Sequence, residues 1–222
     1  MEHIPREACG LVIVEKGKEV FVPCKNISEL DDTFILDPRD YLLAEQRGEI
    51  LRVVHSHCYS DARPSEADKV ACEASGLPWS IVSVPNNTWQ EFQPSGYKAP
   101  LVGRTWSHGI LDCYSLIRDY YKENLGIEIP DFERQFEWWH KGENLYLDNF
   151  EKAGFYEVPI SQAGPNDVIL MQILSPVVNH GGIYLGNEQM LHHLHRRLSC
   201  REVWGGYYRK HTVKVLRHKC AR

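Results

Sequence analysis

The sequence predicts an α+β protein of two domains: an α/β domain over residues 1–95, then an α+β domain with an antiparallel sheet over residues 101–222. Three observations predict it. A chain of 222 residues exceeds one usual domain and suits two of about 100 residues, each large enough to bury its own core. Strand-like runs alternate with two helical segments up to residue 93, whereas in the last hundred residues a helix comes first and strands follow. Between them, Pro94-Ser95-Gly96-Tyr97-Lys98-Ala99-Pro100 has the Pro and Gly content of a linker.

In the first domain, apolar and β-branched runs predict strands at residues 10–14, 19–22, 51–55, 80–84 and 88–93. Asp37 is placed as an N-cap with Pro38 at the first helical position, and that helix ends near Gly48. A second helix runs from Ser65 to Ser75 and is closed by Gly76. In the second domain, apolar and aromatic spacing predicts a helix over 115–124 that stops at Gly126, with Cys113 at its N-terminus. Strands follow around 168–170, from His180 into a Gly-Asn turn, and over 189–195. Trp138-Trp139 reads as core or interface in preference to a substrate groove.

His55-Ser56-His57 is the most informative pattern in the first domain. Two histidines separated by one residue leave the same face of a strand, so one metal ion can accept both, while Ser56 points away. Ser65 and Asp68 follow at the start of the second helix, and Glu7 precedes the first strand. Two imidazoles and a carboxylate leave a fourth position for water, the arrangement of a catalytic zinc site. Glu, His-x-His, seven residues, then Ser-x-x-Asp resembles the JAMM (MPN) metallopeptidases, which hydrolyse amide and isopeptide bonds. The resemblance implies an α/β domain with a mixed sheet, Zn2+ on His55, His57 and Asp68, Glu7 as general acid/base, and Ser65 as a donor to the developing oxyanion.

The second domain uses different chemistry. A cysteine at a helix N-terminus sits near unpaired N–H groups and the positive end of the helix dipole, both of which favour thiolate; Cys113 in Asp112-Cys113-Tyr114-Ser115 is therefore expected to be a nucleophile of lowered pKa. His180 in Asn179-His180-Gly181-Gly182-Ile183 is its candidate base, and His192 on the next strand is the candidate third group that orients the ring. His193 and His195 are rivals, but a regular strand would put His193 on the opposite face from His192. The cluster of His192, His193, His195, Arg196 and Arg197 also reads as a solvated basic edge or a metal-binding patch.

These pieces, from about Trp106 to Tyr208, resemble the NlpC-type cysteine peptidases. The resemblance implies a papain-type α+β fold with Cys113, His180 and His192 catalytic, and as substrate the stem peptides of bacterial peptidoglycan, cut next to a D-γ-glutamyl residue. Two departures stand out. Tyr114-Ser115 replaces the commoner Ser-Gly after the nucleophile, and no tyrosine upstream of it lines the oxyanion site, where Trp106 or His108 is available instead.

A net charge of −5 gives no field for a polyanion and speaks against nucleic acid as a partner. Seven cysteines, an odd number without a C-x-x-C pair, suggest reduced thiols and a cytoplasmic site of synthesis. The N-terminus lacks a basic segment followed by an apolar stretch, and no run approaches a membrane span. A JAMM-like module joined to an NlpC-like module in one leaderless chain resembles the tail assembly proteins of lambda-like phages. That implies tail tip proteins as partners, host cytoplasm during assembly and the virion tail tip as locations, and a tail or host protein as the zinc module's substrate. Two other classes stay open here: a first domain that is a non-catalytic assembly scaffold, and a bacterial cytoplasmic enzyme cutting ubiquitin-like conjugates or small thiol amides.

Overall fold

The computed structural model describes residues 4–221 and divides the chain into two compact units, residues 1–98 and 99–222. Unit 1 is a five-stranded mixed sheet in the order β2-β1-β3-β4-β5, from β1 (Cys9–Glu15), β2 (Lys18–Cys24), β3 (Glu49–His57), β4 (Trp79–Ser83) and β5 (Thr88–Phe92). All neighbours are antiparallel except β3 and β4, which run parallel and are joined through α2 (Glu66–Ser75). Helix α1 (Pro38–Arg47) starts where the sequence places it, with the Asp37 side chain accepting from the Arg39 N–H. Leu11, Ile13, Val53 and Trp79 from the strands bury against Ala44 of α1 and Cys72 of α2.

Strand β3 runs to His57, two residues past the predicted run, and carries both histidines at its end as expected, while Ser56 between them accepts from the Ala8 N–H at 2.9 Å. The predicted linker is partly tied down, because the Glu73 carboxylate accepts from the N–H groups of Ser95 at 2.6 Å and Tyr97 at 2.9 Å.

Unit 2 packs α3 (Cys113–Tyr120) against a six-stranded antiparallel sheet. The short helix α4 (Leu145–Asn149) precedes it. Its strands are β6 (Phe155–Val158), β7 (Val168–Met171), β8 (His180–Gly186), β9 (Gln189–His192), β10 (Cys200–Val203) and β11 (Thr212–His218), in the order β10-β9-β8-β7-β11-β6. Helix α3 begins at Cys113, two residues earlier than its apolar spacing predicts, because Asp112 caps it by accepting from the Ser115 N–H. It widens into a π turn at Tyr121–Leu125 before Gly126, instead of continuing as regular helix. Leu116, Ile117 and Tyr121 bury against Val168, Leu170, Ile183 and Leu191 on one sheet face. Ile169, Met171, Met190 and Val215 bury with Trp204 on the other. A strand covered on both faces reads as an unbroken apolar run, which is why β7 is Val-Ile-Leu-Met.

Candidate active sites

The first cluster lies in unit 1, on the end of β3. His55 is buried, stacked on Phe34 at 4.5 Å between centroids and met edge-on by Trp79 at 5.5 Å. Its Nε2 lies 3.2 Å from Asp68 Oδ1, and His57 Nε2 lies 3.3 Å from Asp68 Oδ2. Neither His55 nitrogen has a hydrogen-bond partner, an arrangement that costs stability unless something else takes the lone pair. His57 Nδ1 is 2.7 Å from the Asp61 carbonyl, to which it can only donate, so Nε2 is the nitrogen left to face Asp68 and, once deprotonated, to take a metal. The donor atoms of His55, His57 and Asp68 all fall within 4.8 Å of one another. Two imidazoles and one carboxylate, with an orphaned buried nitrogen among them, fit zinc.

Glu7 is also buried, just ahead of β1, and its backbone is fixed on both sides. Its N–H donates to the Asp31 carbonyl at 3.2 Å and its own carbonyl accepts from Asn26 at 2.9 Å. Burial pushes the Glu7 carboxyl up to about 8, against the pull of His57 and with the push of Asp68 and Asp32. Burial alone would raise Asp68 too, but the two histidines and the Ser65 hydroxyl hold it well below the usual carboxylate range. Ser65 differs from the sequence reading. It is the N-cap of α2 in a capping box, and both its hydroxyl and its N–H donate to Asp68 Oδ2 at 2.7 Å. In this geometry the hydroxyl orients the carboxylate instead of pointing at an oxyanion.

The second cluster lines a cavity of about 310 Å³ in unit 2. Cys113, at the first turn of α3, has its Sγ 3.2 Å from the Tyr146 hydroxyl on α4 and also receives the Gly181 N–H. A Cβ on Gly181 would sit 2.8 Å from Ile117 Cδ1 and 3.1 Å from the Tyr146 oxygen, so only glycine lets β8 approach the helix this closely. His180, the residue before it, lines the same cavity, and its Nε2 meets His192 Nδ1 at 3.1 Å. His192 Nε2 in turn meets Glu202 Oε2 at 2.9 Å, and the same oxygen accepts from the Tyr208 hydroxyl at 2.5 Å.

The direction of every proton in that chain follows from Glu202. The Tyr208 hydroxyl and His192 lower its pKa against burial, so it is a carboxylate and only accepts. His192 therefore carries its proton on Nε2 and presents a bare Nδ1. His180 must then donate from Nε2, which leaves its own Nδ1 as the lone-pair nitrogen. Burial and the neighbouring rings His192 and His193 push His180 down to about 3, so the ring is neutral.

Three expectations are corrected here. The Cys113 pKa is raised, not lowered: burial dominates and Asp112 adds to it, outweighing the Tyr146 hydroxyl, the Gly181 N–H and Arg134. The resting pair is thus thiol and neutral imidazole. His193 is not turned away, since β9 ends at His192, regular alternation stops there, and His193 lines the cavity. Both rings are fully buried, so this part of the His cluster is no solvated edge. Trp138 and Trp139 also line the cavity, as do Trp106 and His108. The hydroxyl beside the sulfur comes from Tyr146, downstream of the cysteine.

Arg134, missed in the sequence, holds this corner together. It donates to Asp112 at 2.7 Å, the Gly109 carbonyl at 3.0 Å and Ser115 Oγ at 2.8 Å while only 8% of its side chain is exposed. Burial alone would raise Asp112, but this guanidinium holds it well below the usual range. Arg134→Met leaves an unpaired buried carboxylate and is expected to cost about 3–5 kcal/mol in a denaturant titration.

A thiol and a neutral imidazole lining one cavity, the imidazole oriented by a third side chain, where a helix packs against an antiparallel sheet, form the kind of site a peptidase or hydrolase carries. The chain belongs to the NlpC/P60 family, which matches residues 101–217, and residues 1–95 match the prokaryotic homologs of the JAB domain. Over most of its length it is similar to Tail tip assembly protein K of Escherichia phage N15, at 40% identity covering 98% of this chain and 90% of the relative. It is 43% identical to Tail tip assembly protein K of Escherichia phage lambda, covering 84% of this chain and 91% of that protein. Among solved structures, the NlpC/p60 domain of the peptidoglycan hydrolase SagA overlaps 53% of this chain and 89% of its own at 17% identity, with a TM-score of 0.39. Among the described residues no helix is long and apolar enough to cross a membrane.

Proposed function

We propose that the chain is a two-module peptidase of a phage tail tip, in which unit 2 cuts the stem peptides of host peptidoglycan and unit 1 is a zinc-dependent amide hydrolase acting on a tail or host protein. One observation carries the reading: Cys113 and His180 line one cavity, and a hydrogen-bonded chain from His180 through His192 to Glu202 at the sheet edge has proton directions that leave one imidazole nitrogen bare. In this reading His180 Nδ1 takes the thiol proton as sulfur attacks the scissile carbonyl, and later returns it to the leaving amine. The Tyr146 hydroxyl and the Gly181 N–H steady charge on sulfur. The raised thiol pKa means that the proton moves when substrate enters, not before. Trp106, Phe132, Trp138 and Trp139 wall the cavity and exclude water.

In unit 1, His55, His57 and Asp68 would hold the zinc, which when bound supplies a Lewis acid for an amide carbonyl and acidifies water. Glu7 is the proton carrier, and Ser65 keeps Asp68 in its ligating orientation. The relatives' names support a tail-tip placement with tail proteins as partners, and the proposal adds assembly in the host cytoplasm.

Mass spectrometry of fragments released from purified sacculi tests the unit 2 reading. Products ending at a D-γ-glutamyl bond support it, and products ending elsewhere overturn that choice of bond. Glu202→Gln tests the proton directions: an amide can donate or accept and no longer dictates the tautomer. kcat is expected to fall by at least about tenfold, part of what acid–base catalysis contributes. The acid limb of kcat/KM is expected to move to lower pH, because the Glu202 charge is what raises His192 against burial.

A further inference from the structure

The same edge of unit 2 carries a feature that the peptidase reading leaves unexplained. Cys200 stands directly across from His192 in the β9–β10 pairing, and Glu202 is two residues along β10 on the same face. His192 Nε2, Cys200 Sγ and a Glu202 carboxylate oxygen lie within 4.8 Å of one another. β10 is the outer strand of the sheet, and Cys200 and Glu202 are half-buried, so the group is reachable from solvent. Both hydrogen bonds of Glu202 fall on Oε2. We propose that His192, Cys200 and Glu202 form a second metal site, one that takes Zn2+ or a similar borderline-soft divalent cation and, when filled, switches off the cysteine module.

The donor set supports binding. Imidazole nitrogen, thiolate and carboxylate are zinc's preferred ligands, and bonds of about 2.0–2.3 Å require only that the three atoms draw somewhat closer. Thiolate and carboxylate together neutralise the ion's two charges. Arg197, whose charge reaches Cys200, Glu202 and His192, is the opposing group.

The consequence follows from proton bookkeeping. Cys200 gives its S–H proton to solvent as the S–metal bond forms. A neutral imidazole bound to metal through Nε2 carries its proton on Nδ1. That places an N–H against His180 Nε2, which must become the acceptor, and moves the His180 proton to Nδ1. The nitrogen that should receive the thiol proton then already holds one. The switching rests on the cysteine-peptidase reading, whereas the binding does not.

Cobalt and zinc titrations of the full chain separate the two. Co2+ is expected to give a thiolate-to-metal band in the near ultraviolet that persists in Cys113→Ser, disappears in Cys200→Ser and Cys200→Ala, and is displaced by Zn2+. Micromolar Zn2+ is expected to lower stem-peptide cleavage more than tenfold in the wild type. Cys200→Ser should keep basal activity and lose that sensitivity. No thiolate band, a band lost with Cys113, or a band surviving in both cysteine variants overturns the site. A band that follows Cys200 without any zinc inhibition keeps the site and overturns the switch. If the wild type cleaves nothing, the peptidase reading and with it the switch fail, while the cobalt band still decides the site.

Discussion

Cys113→Ala is expected to lower the rate of stem-peptide cleavage by about 10⁴-fold or more, with the fold intact. Loss of a nucleophile that works with a base removes the covalent route altogether, and what remains is binding and stabilisation of the carbonyl. His180→Ala should cost nearly as much, and the double variant little more than either. Groups that act as one unit are not additive, and in the proposed mechanism sulfur and imidazole share a single proton. The substitution is mild structurally, since Cys113 sits at the first turn of α3 and the Asp112 cap and its Arg134 partner stay in place. Steady-state kinetics on a soluble stem peptide, with far-ultraviolet circular dichroism as control, gives the comparison. Equal rates for wild type and Cys113→Ala would remove the sulfur from the mechanism.

The second large effect belongs to unit 1. In a Cys200→Ser background, which lacks the second proposed site, His57→Ala should reduce bound zinc from about one ion per chain to a negligible amount, read by elemental analysis after gel filtration. Loss of an orienting partner alone costs about 10–100-fold in affinity, and His57 is a proposed ligand held by the Asp61 carbonyl. Ser65→Ala should weaken zinc binding less, because it removes one bond to Asp68 and part of the α2 cap but no ligand. Cleavage by unit 2 should be unchanged in both, which distinguishes a local loss from unfolding. Negligible zinc in the wild type as well would mean that unit 1 is a scaffold.

Much of this was legible in the sequence, and the physical reasons are specific. His55 and His57 announce themselves because a strand places alternate residues on one face, and Ser65 with Asp68 because a capping box has a fixed spacing. Asp112 and Cys113 are adjacent, so the helix start and the cysteine are read together. What stayed hidden depends on contacts between distant residues. Tyr146 lies 33 residues from Cys113 on a five-residue helix with no spacing signature. Arg134 reaches Asp112 across 22 residues from a segment without regular structure. Glu202 meets His192 only once β9 and β10 pair. The expected thiolate failed for a related reason: the helix start was visible, but the burial that outweighs it is a property of the assembled cavity.

The most direct measurement is digestion of purified sacculi by the full chain in the presence of a chelator, with the Cys113→Ala variant alongside. The account predicts soluble stem-peptide fragments from the wild type and none from the variant. Fragments from both, or from neither, would contradict it.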